Sequence, residues 1–66
     1  MKLTRIAGDC GDNIECPAVY VSDRGTIVVQ GHTLARTGLD ITLADDESAV
    51  EIPLDLLKEA ARAHAL

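Results

Sequence analysis

Two cysteines, Cys10 and Cys16, are the side chains of this 66-residue sequence best suited to chemistry. A C-x5-C pair on a Gly- and Asp-rich loop can form a disulfide or sit as two small buried hydrophobes. It can also supply half of a zinc site, with His32 as a third ligand or with a symmetric dimer completing four sulfurs. The spacing is wider than the usual C-x2-4-C pattern. A redox or nucleophilic role is less favoured. No Lys, Arg or His neighbours either cysteine in sequence, and Asp9, Asp12 and Glu15 disfavour a thiolate.

Other constellations read as structure before chemistry. His64 stands near the end of a helical stretch, where it suits the helix dipole. Asp23-Arg24 is turn chemistry, and G-D-C-G lacks the Lys and the following helix of a phosphate cradle. With one Tyr and no Phe or Trp, the chain has little volume from which to build a substrate pocket. The expectation is a protein that is not an enzyme.

The elements that position these residues follow from turn signals and alternation. Residues 16 to 34 predict a β-hairpin in which Asp23-Arg24-Gly25 forms a three-residue loop with Gly25 at positive φ. Closing that loop pairs Ser22 with Thr26, so Val21 faces Ile27 and Val19 faces Val29 on one side. Tyr20 faces Val28 on the other. Residues 1 to 7 alternate loosely and predict an edge strand. Thr33 to Thr37 predicts one helical turn ended by Gly38. Ile41 and Leu43, then Val50 and Ile52, predict a second hairpin around the acidic turn 45 to 48.

Pro53 stops that strand and opens a helix running to about residue 65, with Leu54, Leu57, Ala60, Ala61 and His64 on one stripe. Leu56 and Ala63 widen the stripe. The fold class is α+β, mostly β: two β-hairpins forming a small antiparallel sheet with one C-terminal helix, as a single domain over residues 1 to 66.

A core of Val, Ile, Leu and Ala in so short a chain is marginal, because a domain of this size buries only about 60% of its unfolded surface. Oligomerisation remedies this, so a homodimer is expected, with Tyr20 and Val28 on a hairpin face that a second copy covers. Charge is uneven. Residues 1 to 36 are neutral, and the whole formal charge of -5 lies after Thr37, where seven acids meet two bases. That balance argues against direct nucleic-acid binding, which relies on Lys and Arg. A basic protein partner fits better, met by Asp45, Asp46 and Glu47 with Leu56 as an apolar anchor. Solubility alone is the plainer account of the acids. The sequence holds no apolar run suited to a membrane span or signal-peptide core, so a cytoplasmic protein is expected.

The segments C-P-A-V-Y-V-S-D-R-G-T-I-V-V-Q-G and S-A-V-E-I-P-L-D-L-L resemble a family of small, acidic, uncharacterised actinobacterial proteins. Members are encoded beside helix-turn-helix regulators and resemble small developmental regulators of sporulating actinobacteria. The resemblance implies an accessory partner of a transcription regulator, acting in the cytoplasm through protein contacts. The order V-S-D-R-G-T-I-V-V, a short turn, G-L-D-I-T-L, an acidic turn and A-V-E-I is also similar to the swapped-hairpin domains of the AbrB and MazE type. That second resemblance implies a DNA-binding or antitoxin domain. It departs from the pattern in lacking a Pro at Gln30 or Gly31 and in offering only Arg24 and Arg36 as nearby cations.

Overall fold

The computed structural model describes residues 1–8 and 16–64. Strands β1 (Leu3–Ala7), β2 (Ala18–Ser22) and β3 (Ile27–Gln30) form an antiparallel sheet in the order β1-β2-β3. A two-stranded unit pairs β4 (His32–Thr33) with β5 (Val50–Glu51), and helix α1 (Leu54–Ala63) follows. This is a small α+β fold, mostly β, as the turn and alternation signals predict.

The β2–β3 hairpin has the register that its loop dictates. Val21 pairs with Ile27, Tyr20 with Val28 and Val19 with Val29. Gly25 takes φ 77, a left-handed conformation that costs other residues energy and glycine little. The Ser22 N–H donates to the Thr26 carbonyl at 2.8 Å, and the Gly25 N–H to the Ser22 carbonyl at 3.2 Å. Ser22 does more than close the loop. Its Oγ accepts the N–H groups of Arg24 and Thr26, each at 3.1 Å, and lies 2.6 Å from Thr26 Oγ1. Ser22 is thus a buried polar side chain that has its partners.

The edge strand expected at the N-terminus forms. β1 sets Leu3 opposite Ser22, Thr4 opposite Val21 and Arg5 opposite Tyr20, then slips by a bulge so that Ala7 faces Val19. The bulge re-aims the end of the strand into the core. α1 packs over β1 and β2. The core is Ala7, Val19, Leu56 and Ala60, with Ile6 and Ile52 half-buried against it. Burial of side chains such as Val19 and Leu56 contributes about 1.5 to 3 kcal/mol each, so this is a thin core.

Three expectations need correction. Thr33 does not cap a helical turn: it lies in β4, and residues 36 to 38 make a turn with Gly38 at φ 89. The second hairpin does not pair residues 41 to 43 with β5. β5 pairs instead with β4, Thr33 opposite Val50 and His32 opposite Glu51. The carbonyls of Leu43 and Ala44 are taken by the Arg36 guanidinium, at 3.1 and 3.3 Å, rather than by a strand ladder. Gly31 permits the observed pairing, because a Cβ there would lie 2.6 Å from the Glu51 carbonyl oxygen.

The third correction concerns the face that the helix buries. Pro53 is its N-cap in extended conformation, Asp55 lies in the first turn and Arg62 in the last, and the His64 N–H donates to the Ala60 carbonyl at 3.1 Å. The buried residues are Leu56 and Ala60, while Leu54 is 67% and Leu57 53% exposed. Leu56 therefore belongs to the centre of the packed stripe and not to its margin. Ala60, one turn on, presents only a methyl and lets the helix approach the sheet closely.

Candidate interaction surface

Side chains directly opposite one another in an antiparallel pair share a face, so Ile27 and Val29 stand on the same face as Val21 and Val19. That is the face α1 covers, since Val19 packs with Leu56 and Ala60. The helix rests on β1 and β2 and leaves β3 largely uncovered. Ile27 and Val29 remain 42% and 38% exposed as a result.

The helix contributes to the same side of the molecule. Glu59 marks the flank beside β1, where its Oε2 accepts the Gly8 N–H at 3.4 Å. At 3.6 residues per turn, Leu57 falls on the opposite flank and Leu54 near the outer surface. Ile27, Val29 and Leu57 are thus exposed apolar side chains on the helix-bearing side, and Leu54 is exposed on the outer face of the helix.

The acidic turn is built by a cation. Arg36 Nη1 donates to the Glu47 carbonyl at 2.8 Å while Nη2 reaches Leu43 and Ala44. The Glu47 N–H donates to the Ala44 carbonyl at 3.0 Å, and the Ala44 N–H returns a bond to Glu47 Oε1 at 2.9 Å. Asp45 and Asp46 sit at the turn and are exposed. Of the three acids singled out in the sequence, Glu47 has a structural task, and Asp45 and Asp46 are displayed to solvent.

The remaining candidates are placed as follows. Tyr20 and Val28 are half-buried on the face away from the helix, with the Tyr20 hydroxyl donating to Gln30 Oε1 at 2.8 Å. Leu56 is 7% exposed, so its side chain is spent on the core, and Leu57 is the neighbour that a partner can reach. Cys16 is half-buried and disulfide-bonded, and Cys10 lies outside the described residues. A zinc ligand must be a thiolate, so in this state Cys16 does not fit a zinc site. His32 is exposed in β4. Among the described residues, no three His, Cys, Asp or Glu side chains gather where they could hold a metal ion.

Two of the clefts among the described residues are small. One, of about 190 Å³, is lined by Arg5, Ile6, Ala7, Gly8 and Glu59, and the other, of about 250 Å³, by His32, Glu51, Ile52 and Pro53. Both are smaller than the 300 to 1,000 Å³ or so typical of small-molecule sites. No helix among the described residues is long and apolar enough to cross a membrane.

Sequence reasoning missed that Ile27, Val29, Leu54 and Leu57 are left exposed. The signal was present as three leucines within four helical positions, more than a thin sheet can cover on one stripe. No protein-family model, curated protein or solved structure matches the chain.

Proposed function

We propose that the protein is a small interaction module, a homodimeric cytoplasmic accessory partner of a transcription regulator. The observation that carries this reading is that Ile27, Val29, Leu54 and Leu57 stay exposed on a domain with so little core. Apolar anchors supply tight contacts, and charge governs encounter and partner choice. Asp45 and Asp46, held outward by the Arg36-built turn, suit a basic partner such as the DNA-binding surface of a helix-turn-helix regulator.

The electrostatics favour this reading over direct DNA binding. Of the four cations on or beside the hairpin, Arg36 spends its guanidinium on backbone carbonyls, and Lys2, Arg5 and Arg24 stand in a chain of net charge -5. Phosphate binding draws on several such groups at once.

Affinity capture from extract of the native cell, with the recovered proteins identified, tests the proposal together with a gel shift. The expected result is recovery of a helix-turn-helix protein, weakened by Leu57→Asp and slowed by the pair Asp45→Asn and Asp46→Asn. Glu47 is left intact because its carboxylate holds the turn. Retardation of DNA by the purified protein at physiological salt would overturn the reading in favour of a DNA-binding domain.

A further inference from the structure

The free edge of β3 has a hydrogen-bonding pattern that matches itself. The Ser22–Thr26 pair is bonded, through the Ser22 N–H at 2.8 Å. Bonded and non-bonded pairs alternate along an antiparallel ladder, so Tyr20–Val28 and Ala18–Gln30 are bonded pairs, and Val21–Ile27 and Val19–Val29 are not. The N–H and C=O groups of Ile27 and Val29 therefore point away from β2. Among the described residues β3 has no neighbour on that side.

We propose that two copies of the chain join at this edge, β3 against β3, with a two-fold axis through Val28. This deepens, and rests on, the homodimer in the reading above. In that register Ile27 of each copy lies opposite Val29 of the other, as a bonded pair exchanging both N–H···O=C bonds. All the outward groups of Ile27 and Val29 find partners, and the two sheets become one of six strands. Val28 meets Val28 as a non-bonded pair, with Cα atoms about 4.5 Å apart. Both helices lie on the same face, where Ile27 and Val29 from the two copies form a shared apolar strip.

Two observations favour a second copy as the occupant. The strand I-V-V-Q carries none of the devices that blunt an edge: no Lys, no Pro, and a regular register without a bulge. Charge does not oppose the pairing despite the acidity of the chain, since each turn brings Asp23 and Arg24 together with no net charge. The acids lie off β3, and the same register carries each Arg24 past the end of the other β3, toward His32 and its cross-strand partner Glu51.

Cysteine cross-linking and an edge proline test the proposal, with sedimentation as the common readout. Val28→Cys should give a disulfide-linked dimer on mild oxidation, far above the wild-type background, and Ile27→Cys, which does not face itself, should link poorly. Val29→Pro removes an outward N–H that β2 does not use, so the monomer should keep its fold while dimer affinity falls at least tenfold. If that variant does not fold, Ile27→Lys takes its place and should give the same loss. A wild-type dimer that Val28→Cys fails to link and Val29→Pro or Ile27→Lys leaves intact overturns the β3 edge while the homodimer stands. A wild-type monomer at tens of micromolar overturns both.

Discussion

Arg36 and Glu47 are joined by a 2.8 Å hydrogen bond from Nη1 to the Glu47 carbonyl, and this bond helps close the acidic loop of residues 43 to 47. The second nitrogen of the fork holds Leu43 and Ala44, so one side chain organises a loop that has no strand of its own. Planar, multidentate donation of this kind is specific to arginine.

Replacing Arg36 should therefore loosen the loop. Hydrogen bonds from a charged donor contribute about 1.5 to 3 kcal/mol when sheltered, and these are exposed, so Arg36→Ala should cost about 1 kcal/mol. That corresponds to a fall in Tm of about 4 to 8 °C for a domain this small. Arg36→Lys should recover little of it. Thermal melting by circular dichroism checks both, and a lysine variant melting like wild type would show that charge alone suffices.

The neighbours Leu56 and Leu57 should behave as opposites. Leu56→Ala empties the core beside Val19 and Ala60 and should cost about 2 to 5 kcal/mol. Leu57→Ala, at a side chain 53% exposed, should stay within about 0.5 kcal/mol in stability. Denaturant midpoints for the two variants give the comparison. Equal losses would mean that the helix buries a different face.

Gly31→Ala tests the pairing that sequence did not foresee. The added methyl would meet the Glu51 carbonyl oxygen at 2.6 Å and Ile52 Cγ2 at 2.8 Å. Relieving that overlap separates β5 from the chain leaving β3, at a cost of about 1 to 3 kcal/mol. Hydrogen exchange should then accelerate at the Leu34 N–H, which bonds the Ala49 carbonyl at 2.9 Å beside the pair. An unchanged exchange rate would contradict this account of Gly31.

What could be read from the sequence divides along local and distant interactions. The β2–β3 register was legible because Asp23-Arg24-Gly25 fixes it within a few residues, and Gly25 takes the conformation that the loop requires. The partner of β5 was not, because His32–Thr33 and Val50–Glu51 are far apart in sequence and both strands are two residues long. The alternation of Ile41 and Leu43 was the stronger local signal, and Arg36 overrides it by taking the carbonyls nearby.

The helix was placed correctly, from Pro53, but its buried face was misread. With apolar residues at 54, 56, 57, 60, 61 and 63, several stripes are nearly equal by periodicity alone. Contact with Ala7 and Val19 selected Leu56 and Ala60. That choice exposes Leu57, so the candidate surface became legible only once the sheet was in place.

Sedimentation equilibrium across concentrations up to tens of micromolar, on wild type, Ile27→Lys and Leu57→Asp, is the most direct test that the exposed apolar side chains of β3 form an interaction surface. The expected result is a wild-type species of twice the chain mass, weakened association in Ile27→Lys and an intact dimer in Leu57→Asp, whose surface serves the regulator, with circular dichroism unchanged in both. A wild-type protein that stays at the mass of one chain, or a dimer that Ile27→Lys leaves intact, would contradict it.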